Sequence, residues 1–229
     1  MARARTNPVP DRRSRRKAET RTKLVHAARS VFARQGMDVT TINQITEEAD
    51  VGFGSFYNHF EGKDDIVAAV LEQVIAEAGA AIDRATADID DPAEVVAIAH
   101  RSLIAWATDD QELAWLLVRL NASHDAILTT LGSYAARDLK RGIDAERFSV
   151  DDRDIALIAA GGALIAVIRA VLEGRASDHA DEHHAAAVLR IFGVPPEESA
   201  ELAGRPLPAL PRVREAGAPC PLPRSEPPA

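Results

Sequence analysis

The apolar positions of this chain recur with a helical period along most of its length. Leu24, Ala27, Ala28, Val31 and Phe32 fall at i, i+3, i+4, i+7 and i+8, one stripe of a helix predicted from Arg15. Gly36 is placed to end it as the left-handed residue after the last turn. Thr41-Ile42-Asn43-Gln44 reads as a capping box: the Thr41 hydroxyl can accept from the Gln44 N–H while the Gln44 side chain reaches back. Ile42, Ile45 and Ala49 share the face behind that cap. After Asp50-Val51-Gly52 a third helix is predicted over 53–60, closed by Glu61-Gly62. Helix, short helix, tight turn and short helix is the helix-turn-helix pattern.

Longer helices follow. One is predicted over 63–85, with Ile66, Val70, Val74 and Ile75 as its apolar positions. Asp91-Pro92-Ala93-Glu94 supplies an N-cap, a proline at the first helical position and a glutamate two residues on, and starts a helix carrying Val95, Ala99, Ser102 and Trp106. Others are predicted over 110–121, 124–141, 150–173 and 179–192. No strand pattern competes and no internal repeat is present. The predicted fold class is all-α, a three-helix helix-turn-helix domain followed by a larger helical domain. Divisions are expected at 1–14 (a disordered basic arm), 15–62, 63–200 and 201–229. The last is expected to be a disordered tail, because 8 of the 13 prolines lie beyond Gly204.

Composition narrows the class. A length of 229 residues is one large domain or two small ones at about 150 residues each. The single cysteine, Cys220, excludes an internal disulfide framework and a multi-cysteine zinc site. His179 and His183 are spaced i, i+4, but no second cluster completes a metal site, so neither metal nor cofactor is expected. The longest uncharged apolar run, 155–168, is too short to span a bilayer and reads as a buried helix. No secretory signal is visible, and a soluble cytoplasmic protein without a membrane partner is expected. The motifs of the common hydrolases and nucleotide-binding enzymes are absent, and Gly52-Phe53-Gly54 is only a fragment of a dinucleotide-binding loop with no strand before it. No enzyme activity is expected.

Charge adds a direction. The net charge is −8, yet residues 1–63 hold 12 basic and 7 acidic side chains, and the remainder 15 and 28. A basic N-terminal part on an acidic protein suits contact with a polyanion. Phe53, Ser55, Tyr57, Asn58 and His59 crowd aromatic and hydrogen-bonding groups into one short helix, with Phe56 and Phe60 spaced to pack inward. Such a helix suits a DNA groove. The residues alone also allow a capped surface helix.

Phe32-Ala33-Arg34-Gln35-Gly36, Thr40-Thr41-Ile42-Asn43-Gln44-Ile45, Glu48-Ala49-Asp50-Val51 and Gly54-Ser55-Phe56-Tyr57-Asn58-His59-Phe60 with Lys63 resemble the DNA-binding domain of TetR/AcrR-type transcriptional regulators. The resemblance covers about fifty residues, under a quarter of the chain. It implies that Thr41, Tyr57, His59 and Lys63 meet phosphates and that Ser55 and Asn58 lie nearest base edges. The chain departs from the family pattern at Asp50, where glycine is common, and at Phe53, which can touch a thymine methyl or pack inward.

The resemblance further implies a C-terminal domain that dimerises and holds a small-molecule effector. The partners expected are a double-stranded DNA operator, an effector of unknown identity and a second copy of the chain. In the 150–173 helix Ile158, Ile165 and Leu172 lie on one face and Leu157, Leu164, Ile168 and Val171 on another, so it can meet its own core and a partner. With Val188 and Phe192 of the next helix, Ile158, Ile165 and Leu172 are the expected dimer interface. Trp106, Trp115, Arg119, His124 and Arg169 are the expected effector-pocket residues. Arg169 can instead bridge Glu173 one turn on. The function expected is a ligand-responsive regulator, a repressor acting as a homodimer on a palindromic operator. The alternative is a helical ligand-binding or scaffold protein that keeps the fold without specific DNA binding.

Overall fold

A computed structural model describes residues 12–120 and 125–210, and the side chains of 12–119 and 132–210. Among the described residues there are ten helices and no strand. The chain divides into two compact units, residues 1–70 and 71–229.

The first unit contains α1 (Arg12–Gln35), α2 (Ile42–Glu48), α3 (Phe53–Phe56) and the start of α4 (Lys63–Ala85). The predicted stripe of α1 turns inward: Leu24, Ala28, Val31 and Phe32 are buried, as are Ile45, Phe56, Phe60 and Ile66. Helix α1 ends at Gly36, whose φ of 85° only glycine adopts readily and whose N–H bonds the Phe32 carbonyl at 2.8 Å. The capping box at α2 forms on both sides, with Gln44 N–H to Thr41 Oγ1 at 3.3 Å and Thr41 N–H to Gln44 Oε1 at 2.9 Å. Arg34 clamps α1 to α2 by two bonds to Glu48, of 3.2 and 2.7 Å.

Two expectations in this unit need correction. Helix α1 begins at Arg12 rather than Arg15. Regular α3 stops at Phe56 rather than residue 60. Beyond Phe56 the bonds tighten, with Asn58 N–H reaching back to Ser55 O and His59 N–H to Phe56 O, so the segment continues as turns. Residues 1–11 of the expected arm lie outside the described residues.

The second unit comprises the rest of α4 with α5 (Pro92–Asp109), α6 (Gln111–Leu120), α7 (Asp125–Asp144), α8 (Arg153–Leu172), α9 (Ala180–Ile191) and α10 (Pro196–Ala203). Helix α9 packs against α5, α8 and α10. Val96, Leu139, Phe148, Leu189, Phe192 and Leu202 belong to one core. Asp91 caps α5 through Oδ1 to Ala93 N–H at 2.9 Å, as its position before Pro92 predicts. Arg147 bonds both Asp91 and Glu198, which ties the starts of α5 and α10 together.

Helix α10 was not expected, and the tail expectation fails over residues 201–210. Leu202 and Ala203 are buried, and Arg205 bonds Glu94 and Glu201. Residues 211–229 lie outside the described residues. Helix α8 also differs from expectation. At 20 residues it is long and apolar enough to cross a membrane, yet it is not a buried helix. Ala156, Ala160, Leu164 and Ile168, spaced by four, face the unit's own core, while Ile155 and Ile158 are 61% and 68% exposed.

Candidate nucleic-acid interface and ligand cavity

In the N-terminal unit the turn between α2 and α3 decides what faces outward. Asp50 has φ 53°, its N–H bonds Glu47 O at 3.1 Å, and the Val51 N–H bonds Thr46 O at 3.0 Å. This is a Schellman closure with aspartate in the left-handed position, which short polar side chains tolerate. It explains why a glycine would fit there. Asp50 does not cap α3, whose N-cap is Gly52 without a side-chain bond.

The residues expected to meet DNA are spread over this turn and its surroundings. Thr41, Tyr57 and Asn58 are exposed, and Ser55, His59 and Lys63 are half-buried. Phe53 is 49% exposed and its ring meets that of Tyr57 edge-on at 5.6 Å, so of its two expected placements the outward one holds. Tyr57 also packs edge-on against buried Phe56, which fixes the phenol at the surface. Burial holds the His59 imidazole below its usual pKa, helped by Lys17 and Arg21. The Lys63 ammonium donates to the Asp38 carbonyl at 3.0 Å, so it braces the loop after α1. An ammonium keeps two further donors. Lys17 and Arg21 belong to the basic N-terminal segment expected to meet a polyanion. Arg21 stands over the Phe60 ring at 5.2 Å, so α1 delivers part of the basic charge beside His59.

The second unit holds a cavity of about 440 Å³. Its walls are mostly apolar, among them Ile75, Ile82, Leu103, Leu157 and Leu164. Polar groups enter it from α4, α5 and α7: Asp83, His100, Tyr134 and Asp138. Asp83 receives two 2.7 Å bonds from Arg137, and Arg137 also bonds Asp138. Burial raises the Asp138 pKa although Arg137 opposes it. The Arg137 pKa is raised, chiefly by Asp83. Tyr134 donates to the Ala76 carbonyl at 3.2 Å, its ring against Gly79, where an added Cβ would lie 2.6 Å from it. His100 Nδ1 stands 3.0 Å from His184 Nε2.

Among the described residues, none of the expected effector residues lines this cavity. Trp106 is buried beside a smaller one, Trp115 and Arg119 lie on α6 and line neither, and His124 is outside the described residues. Arg169 is exposed and bonds Glu173 at 3.0 Å, the alternative its spacing allowed. The expected dimer residues also separate. Val188 and Phe192 are buried in the chain's own core, and Phe192 reaches the cavity. The apolar position that α9 leaves exposed is Ile191. Ile158 and Ile165 line the cavity, and Ile165 and Leu172 are half-buried. Tyr134, Arg137 and Asp138 fall at i, i+3 and i+4, a legible polar stripe that was not singled out.

A short N-terminal helix-turn-helix unit followed by an all-helical unit with a cavity defines a class of DNA-binding transcriptional regulators. The model for the TetR family of bacterial regulatory proteins matches residues 24–70. That for the tetracycline-repressor-like C-terminal domain matches residues 91–205. The regulator SrpR of Pseudomonas putida is 43% identical over 53 residues, 23% of this chain and 25% of that protein. HbdR of Aromatoleum sp. (strain CIB) is 42% identical over 57 residues, 25% of each chain. These matches span only about a quarter of those relatives. The crystal structure of RolR in complex with resorcinol is 35% identical, covers 86% of this chain and 100% of RolR, and superposes with a TM-score of 0.76. Thermus thermophilus FadR with lauroyl-CoA shares the fold at 19% identity and a TM-score of 0.63. The chain belongs to the TetR family of DNA-binding transcriptional regulators.

Proposed function

We propose that this chain is a ligand-responsive repressor that binds a palindromic operator as a homodimer and takes a small, neutral phenol-type effector. The cavity carries the effector reading. About 440 Å³ of mostly apolar space with a few convergent polar groups suits a small aromatic ring bearing hydroxyls. Asp138, with its raised pKa, and Asp83 offer acceptors for such hydroxyls, and Arg137 holds the Asp83 carboxylate in place. RolR, matched over its full length, is known with resorcinol bound.

Tyr57, Asn58, Ser55 and Thr41 supply the DNA face, with His59 and Lys63 bracing it. In a dimer two such faces would enter successive major grooves roughly 34–36 Å apart. The exposed apolar positions Ile155, Ile158 and Ile191 favour α8 and α9 as the dimer face. The effector releases DNA only through a higher affinity for the form that does not bind the operator. The cytoplasm is the compartment that fits this role.

Titration calorimetry with resorcinol tests the effector reading. Micromolar binding that Asp138→Ala weakens at least tenfold, with an unchanged melting temperature, supports it. No heat with resorcinol, catechol or phenol overturns it.

A further inference from the structure

The large cavity carries two sets of polar groups that share no hydrogen bond among the described residues. Asp83 of α4 and Asp138 of α7 are joined by Arg137, which bonds both. His100 of α5 stands apart from them, its ring fixed by buried His184 of α9, with Nδ1 3.0 Å from Nε2 and ring centroids 5.0 Å apart. The other residues that α5 and α8 give to the wall are apolar or glycine, so His100 is the one polar side chain from these two helices. Its second nitrogen, Nε2, makes no hydrogen bond among the described residues. The unpartnered side-chain atoms that are sealed from contact there are His59 Nδ1, Ser102 Oγ and Trp106 Nε1, and His100 Nε2 is not one of them. It therefore opens onto the cavity that its ring lines.

We propose that His100 sets the specificity of this cavity: its Nε2 takes a second hydroxyl of an aromatic effector whose first hydroxyl meets Asp83 or Asp138, so that dihydroxybenzenes are selected over phenol. This role rests on the phenol-type effector reading and adds the preference among phenols. Burial lowers the pKa of both rings, so both are neutral at pH 7. Two neutral rings carry two protons on four nitrogens, and one proton lies in the contact between them. When His100 holds that proton, its Nε2 is bare and accepts. When His184 holds it, His100 Nε2 carries a proton and donates. A hydroxyl suits both states, because it donates and accepts. An apolar ring edge suits neither and leaves the nitrogen unpaired, and a site that hydrogen-bonds a hydroxyl rejects the analogue lacking it for that reason.

Titration calorimetry on the full chain compares phenol with catechol, resorcinol and hydroquinone. At least one dihydroxybenzene should bind about tenfold tighter than phenol, and His100→Leu should bring the two within about twofold. A second measurement needs no variant. In the wild-type chain labelled with 15N-histidine, that dihydroxybenzene should shift the nitrogen signals of one histidine further than phenol does; His100 is the one histidine in the cavity wall among the described residues. Equal affinity for phenol and all three dihydroxybenzenes overturns the proposal. So does an advantage that survives in His100→Leu, since the carboxylates then take both hydroxyls. If His100→Leu does not fold, a histidine spectrum that responds alike to phenol and the dihydroxybenzenes overturns the proposal by itself. No heat with any of the four compounds removes the phenol-type effector reading and this role with it, whereas binding without selection removes this role alone.

Discussion

His100 Nδ1 and His184 Nε2 stand 3.0 Å apart, joining α5 to α9, with His100 at the wall of the large cavity. One proton serves that contact, so one ring must be the donor and the other the acceptor. Burial pushes His100 down to about 3, aided by the neighbouring ring, and His184 down to about 4. Both are neutral at pH 7. The ring that donates to its neighbour fixes whether the remaining nitrogen of His100 donates or accepts.

This pair makes stability depend on pH. In the unfolded chain each histidine titrates near 6.5, above its value in the fold, so the unfolded state binds more protons as pH falls. The contribution is complete above about pH 6.5 and is lost progressively toward pH 4, by up to about 1.4 kcal/mol per pH unit for each ring. Urea unfolding at pH 7.5, 5.5 and 4.5 should show this fall, and His184→Gln should flatten it. An equal pH slope in both proteins would show that the pair is not the cause.

Gly193→Ala should destabilise the second unit by about 1–3 kcal/mol. Gly193 has φ 87° and closes α9, with Val194 N–H bonding Leu189 O at 3.0 Å. A Cβ there would also lie 2.6 Å from the Ser149 carbonyl. Thermal unfolding followed by circular dichroism checks this, and an unchanged midpoint would mean that the turn relaxes freely.

The local signals were the legible ones. The capping box at Thr41, the left-handed Gly36 and the Asp91-Pro92 start each depend on a few adjacent residues, and each stands as read. Helix α3 was overextended because its end is set by bonds such as Asn58 to Ser55 that leave no mark in composition. No helix was predicted over 196–203, although proline in the first turn is compatible with a helix start at α10. The inward face of α9 was misjudged because alanines leave its stripe weak, so Val188 and Phe192 could not be told from Ile191. The cavity was the least legible, since Asp83, His100, Asp138 and Leu157 come from four helices.

Ile158→Asp should give a monomer with an unchanged melting temperature. Ile158 is 68% exposed within one chain, so the carboxylate is solvated there. In a twofold contact it would be buried twice without a partner. Light scattering with a parallel thermal melt distinguishes the outcomes. A stable dimer at micromolar concentration would place the interface away from α8.

Tyr57→Ala should weaken binding to operator and random DNA alike, because the contact is assigned to phosphate. Asn58→Ala should instead relax preference at one base pair, by about 1–3 kcal/mol. Anisotropy titrations against single-substituted operators separate the two patterns. Equal losses in both variants across all sequences would remove Asn58 from the base-reading role.

Selection of binding sites from a random DNA pool by the full chain probes specific DNA recognition by paired helix-turn-helix units most directly. The expected product is a palindrome with half-site centres about one helical turn, roughly 34–36 Å, apart, bound by two chains. A pool that shows no enriched sequence after repeated rounds would contradict it and leave a helical ligand-binding protein in its place.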